Sequence, residues 1–124
     1  MTLDTTLGFE GFEFDGEGTA RARMPIGDSV RQPFGIVHGG AYASLAESLC
    51  SRATYEAVGP ENIALGQANA TSFLRPASAG TVHAEATARH SGRTSWVWDV
   101  EMRDDDGRLL ALTRMTIAVR PMPE

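Results

Sequence analysis

The chain has 124 residues and a formal net charge of −5, and all eleven of its basic residues are Arg. They are scattered from Arg21 to Arg120, which excludes a basic patch for nucleic acid but leaves single guanidinium forks suited to a small anion such as phosphate. No apolar run approaches the roughly 20 residues of a membrane span, and the single cysteine, Cys50, excludes an internal disulfide framework and a Cys-x-x-Cys metal site.

The opening "MTLDTTLGFEGFEFDGEG" lacks the basic and apolar regions of a secretory signal, so a soluble, cytoplasmic chain is expected. No linker, repeat or low-complexity tract appears, which predicts one domain over residues 1–124. A chain this short buries only about two-thirds of its unfolded surface, and oligomerisation is a natural way to bury more.

Alternation in "GFEGFEFDGEGTARARMPIG" predicts two short strands around a turn at Asp15–Gly18. Ala20, Ala22 and Met24 share one side there; Thr19, Arg21 and Arg23 share the other. "DSVRQPFGIVHGG" carries Pro33 and glycines 35, 39 and 40, and reads as a loop. From Gly39 to about Ala57 the chain is rich in Ala, Leu, Ser and Glu without Pro, which predicts one helix ended by Gly59-Pro60. "NIALGQANATSFLRP" alternates loosely. "GTVHAEATARHSG" alternates clearly through Val82, Ala84, Ala86 and Ala88. "RTSWVWDVEMRD" puts Trp96, Trp98 and Val100 on one face, where the two Trp belong to the sheet core. A hairpin at Asp104–Gly107 returns the chain as "RLLALTRMTIAV", before Pro121 and Pro123 end regular structure. The fold class is α+β, with one helix to pack on one antiparallel sheet.

At 3.6 residues per turn, Tyr42, Ala46, Leu49, Ala53 and Ala57 form the arc expected to face the sheet. Ser44, Glu47, Ser48, Ser51 and Tyr55 lie opposite, with Glu47 and Ser51 one turn apart. By itself that is an ordinary solvated face, yet it holds small residues and one acid, without the Glu–Lys pairs of a wet helix. His38-Gly39-Gly40 puts bare amides at the positive end of the helix dipole, favourable to an anion or a polarised carbonyl; Gly39 also reads simply as backbone freedom at an N-cap. An oxyanion-binding amide with a carboxylate two turns along is a more specific constellation, because together they could run acyl transfer. Cys50 reads as a small buried hydrophobe. His38, His83 and His90 lack the spacing of a zinc site, His83 and His90 being structural or exposed, and no metal is expected.

"GIVHGGAYASLAES", "ALGQANATSFLRPASAGTVHAEA" and "HSGRTSWVWDVEMRDDDGRLLALTRMTIAV" together resemble the hotdog-fold acyl-CoA thioesterases. Within them the chain is similar to the 4-hydroxybenzoyl-CoA thioesterase branch with a helix-borne glutamate, over about Arg31 to Arg120. The resemblance implies an antiparallel sheet wrapped around a central helix, homodimers joined edge to edge with shared active sites, and pairing of dimers into homotetramers. It implies hydrolysis of an aromatic acyl-CoA such as 4-hydroxybenzoyl-CoA, with no cofactor, CoA being part of the substrate. Phenylacetyl or medium-chain acyl groups are the enzymatic alternatives, and a non-catalytic acyl-CoA sensor the other.

Position by position, Glu47 matches the catalytic carboxylate, as nucleophile or as base for water. Gly39 matches the amide that binds the thioester oxygen, and Gln32 a side chain that orients substrate or water. Ser51 matches a hydroxyl contributed from the partner's side, and His38 lies beside the thioester in some relatives. Pro33 and Phe34 suggest a wall for the acyl group. Arg75 and Thr94 align with contacts to the CoA phosphates. Arg93 stands where close relatives carry Ser, and the tail "RPMPE" lacks the branch's terminal Arg pair, leaving Arg120 and Arg89 as candidate replacements.

Overall fold

The computed structural model describes residues 1–124. Its strands are β1 (Glu10–Phe14), β2 (Thr19–Pro25), β3 (Asn62–Phe73), β4 (Thr81–Ser91), β5 (Ser95–Arg103) and β6 (Leu109–Pro121). A five-residue helix, α1 (Leu3–Leu7), precedes them, and the long helix α2 (Gly39–Val58) lies between β2 and β3. All strand pairs are antiparallel, in the order β1-β2-β4-β5-β6-β3.

The two-residue period decides which sheet face meets α2. Ala20, Ala22 and Met24 on β2 are buried against Val82, Ala84 and Ala86 on β4, as their alternation predicts. Trp98, Val100 and Met102 continue that face on β5, and Ala111, Met115 and Ile117 on β6. Trp98 is fully buried, whereas Trp96 is half-buried and stacked on it at 5.7 Å, so only one of the two belongs to the deep core. The β5–β6 hairpin closes through Gly107, whose φ of 82° is the left-handed conformation that glycine adopts without strain.

On α2 the buried stripe is wider than the predicted arc, taking in Ala41, Leu45, Cys50 and Thr54. Ala57 departs from expectation. The last helical turn runs past the packed face, so Tyr55, Glu56 and Ala57 are all exposed. The helix α1 was not expected from the sequence. It is pinned by Asp4, which accepts a 2.6 Å hydrogen bond from Ser48 Oγ and lies 3.5 Å from the Arg52 guanidinium.

The β3 edge of the sheet is open. It pairs only with β6, and its twelve residues include no charge. Natural sheets usually blunt an open edge with charges, Pro or short length. Here Leu65 and Phe73 are 50% and 58% exposed on that strand. A long, uncharged, partly apolar edge is a template for another strand.

Candidate active site

The loop before α2 and the helix's first turn build one half of the site. His38 is the N-cap: its Nδ1 accepts from the Gly40 N–H at 2.8 Å, while its own N–H donates to Val30 at 2.7 Å. The cap is therefore His38 rather than Gly39, which stands inside the helix. The Gly39 N–H donates to no protein acceptor, as first-turn amides commonly do not. Phe73 packs over it: an added Cβ would stand 2.9 Å from Phe73 Cζ, so a larger residue would have to displace that exposed ring. Gln32 Oε1 accepts from the Phe34 N–H, which leaves the Gln32 amino group to donate elsewhere. Phe34 itself projects into solvent. Gln32, Val37, Gly39, Tyr42, Leu74 and Arg75 line part of a cleft of about 340 Å³.

Glu47 belongs to a different depression, shared with Leu3, Ala43, Ser44, Ser48 and Asn69. Its carboxylate stands over Gly66 of β3, where a Cβ would be 2.6 Å from Oε2. Asn69 Nδ2 donates to Ala43 at 2.9 Å and holds strand and helix together beside it. One turn on, Ser51 opens into an apolar groove of about 480 Å³ with Phe14, Tyr55, Ile63 and Leu65.

At 1.5 Å per residue, the eight positions from Gly39 to Glu47 span about 12 Å of helix axis. Reacting groups need to be about 3–3.5 Å apart. A single chain therefore presents the amide and the carboxylate in separate depressions. It does not bring them together.

The candidate phosphate contacts also divide. Eight of the eleven Arg are engaged in ion pairs, among them Arg89, which with Arg114 clasps Asp99 on the outer face of the sheet. Arg75, Arg93 and Arg120 make none. Arg75 is at the Gly39 cleft. At the opposite end of the sheet, Arg120 donates to the Thr94 carbonyl at 3.0 Å, in the β4–β5 turn that also carries Arg93.

His83 is exposed and paired with Asp105 at 2.7 Å, and His90 is exposed. No group of three His, Cys, Asp or Glu side chains is placed to hold a metal ion. Gly66, Phe73 and Tyr42 complete the site's surroundings without having been singled out for it from the sequence. Only Gly66 carried a signal, since a glycine inside a strand pattern often marks close approach of another group.

A six-stranded antiparallel sheet packed against one long helix is the hotdog architecture of the thioester hydrolases. The model of the Thioesterase superfamily matches residues 34–111. The chain is 34% identical over 120 residues to the 1,4-dihydroxy-2-naphthoyl-CoA hydrolase of Listeria monocytogenes, covering 97% of each chain. It is 36% identical to the proofreading thioesterase EntH of Cronobacter turicensis, covering 95% of this chain and 85% of that one. A crystal structure of a Haemophilus influenzae thioesterase superposes with a TM-score of 0.92 at 32% identity, over 99% of this chain and 85% of that one. The chain belongs to the thioesterase superfamily and is an acyl-CoA thioesterase. No helix is long and apolar enough to cross a membrane.

Proposed function

We propose that two copies of the chain, paired along β3, hydrolyse an aromatic acyl-CoA such as 4-hydroxybenzoyl-CoA at sites built from both. The observation that carries this reading is the separation of about 12 Å between Gly39 and Glu47 along one helix. Antiparallel pairing of two β3 edges runs the two α2 helices in opposite directions. The Gly39 end of one copy then approaches the Glu47-bearing stretch of the other. The same pairing carries Arg93, Thr94 and Arg120 of one copy toward Arg75 of its partner, gathering cations for the CoA phosphates.

In this arrangement the Gly39 amide and the helix dipole hold the thioester oxygen as it gains charge. Glu47 of the other copy attacks the carbonyl carbon, expelling CoA thiolate and forming an acyl anhydride that water then cleaves. Alternatively it takes a proton from water as that water attacks. Gln32 donates toward the substrate or water, and Ser51 lines the trans side. One lost oxyanion donor typically costs about 2.7–4 kcal/mol of transition-state stabilisation.

Complementation tests the shared site. Glu47→Ala and Gly39→Val chains are each expected to be inactive, the second because its side chain has to displace the Phe73 ring beside the Gly39 amide. Mixed after unfolding and refolded together, they regain thiol release from 4-hydroxybenzoyl-CoA, since one of the two sites in a mixed dimer is intact. A mixture as dead as its parents, despite mixed dimers on native mass spectrometry, sinks the trans arrangement. Binding without turnover by the wild type across a panel of acyl-CoAs leaves a sensor instead.

A further inference from the structure

Alternate residues of β6, Ala111, Thr113, Met115, Ile117 and Val119, are buried under α2. Opposite them on β3 stand Phe73, Thr71, Asn69, Gly66 and Ala64. In a regular strand residues 66 and 69 would point to opposite faces, because side chains alternate with a period of two. The register shift between Gly66 and Ala68 inserts Gln67 as an extra residue, a bulge that brings both onto the helix side. Glu47 stands over the first, and the second reaches the helix itself.

Asn69 is held in one orientation. Its Oδ1 accepts from Thr71 Oγ1 at 2.7 Å, and Thr71, having given its only hydroxyl proton, accepts from buried Thr113 at 2.8 Å. Nδ2 is thereby turned toward α2, where it donates to the Ala43 carbonyl at 2.9 Å. In α-helical pairing that carbonyl is also the acceptor of the Glu47 backbone N–H. Asn is depleted in strands, and these three polar side chains sit on a face that is otherwise apolar.

We propose that Asn69 is a positioning residue for the hydrolysis: by tying the carbonyl one turn before Glu47 to β3, it holds the carboxylate at a fixed height over Gly66. This rests on the reading of Glu47 as the reacting carboxylate. Glu47 forms no ion pair within the chain, so its placement depends on the backbone that carries it and on the strand below. Asn69, Ala43 and Glu47 line one depression, so the tie is made beside the reacting group and not at a distant seam. The amide holds the main chain of the glutamate's own helical turn. A misplacement of about 1 Å is enough to take a reacting oxygen out of attacking range. Loss of the tie therefore acts on the chemical step and leaves the grip on the substrate intact.

The test measures kcat and KM for 4-hydroxybenzoyl-CoA, or another acyl-CoA that the wild type cleaves, on full-length Asn69→Ala, Asn69→Asp, Thr71→Val and Glu47→Ala. Asn69→Asp keeps the size and the acceptor for Thr71 but loses the donor to Ala43. Both Asn69 variants are expected to lose about tenfold in kcat, with KM within about twofold of the wild type. Thr71→Val should lose less, and its combination with Asn69→Ala no more than Asn69→Ala alone, since the hydroxyl acts through the amide. Wild-type kcat in either Asn69 variant overturns the assignment, as does a loss carried by KM, which would make Asn69 a substrate contact. Losses that multiply in the double variant overturn it too. Should Asn69→Ala fail to fold, the near-isosteric Asn69→Asp decides by the same split. Glu47→Ala as active as the wild type fails the reading of Glu47 itself, whereas an inactive Glu47→Ala beside fully active Asn69 variants fails Asn69 alone.

Discussion

The Glu47 carboxylate rests on the backbone of Gly66, so closely that a single methyl group there would stand 2.6 Å from Oε2. Gly66 has no left-handed φ, so alanine fits its backbone and conflicts only with the glutamate. Gly66→Ala is therefore expected to lower kcat about tenfold or more by shifting the carboxylate, with KM and the melting temperature little changed. Steady-state kinetics on an acyl-CoA thioester measures this. Full activity in the alanine variant would show that the glutamate is not held by that seat.

The core contains one polar relay whose loss should be felt in stability. Trp98 Nε1–H donates to Thr54 Oγ1 at 2.9 Å, and that hydroxyl donates to the Cys50 carbonyl at 2.7 Å. Thr54→Val keeps the shape but leaves the indole N–H buried and unpaired. A loss of about 1–3 kcal/mol is expected, read by urea denaturation followed through Trp fluorescence.

Asp99 is clamped by Arg114 at 2.8 and 3.0 Å and by Arg89 at 2.9 Å. The Arg114 hydrogen bond chiefly, and Arg89 next, hold its carboxyl below the ordinary value of 3.8. A folded pKa below the unfolded one contributes stability that is present above the unfolded value and lost as pH falls through the folded one. Asp99→Asn should therefore be the less stable protein near neutral pH. The difference should close as the medium is acidified below 3.8. Parallel denaturation curves at neutral and acid pH check both signs.

Cys50 lies in the core, and burial pushes its thiol far above the usual range. Nucleophilic thiols need thiolate character and access, and this one has neither. A thiol-specific reagent at mildly alkaline pH should leave the native protein unlabelled and react fully once it is denatured. Prompt labelling of the folded chain would contradict the packing.

The helix from Gly39, the β2 and β4 alternation and the Asp104–Gly107 hairpin were all legible because each is a local pattern with its own period or turn chemistry. His38 as the cap was not, since a cap depends on which ring nitrogen reaches which amide. Arg89 shows the same limit. Along the chain it resembles the other candidate phosphate ligands, and only the β4–β5 pairing sets it against Asp99 while leaving Arg75, Arg93 and Arg120 without carboxylate partners.

By itself, then, the order of residues determined the class of fold, the helix and the chemical types gathered at its start. Tertiary structure decided that Gly66 lies beneath Glu47, that β3 is an open edge, and that the Gly39 amide and the glutamate sit in different depressions. The reason is physical. Periodicity reports which face of an element is apolar, whereas the neighbour across a sheet is chosen by pairing between segments tens of residues apart.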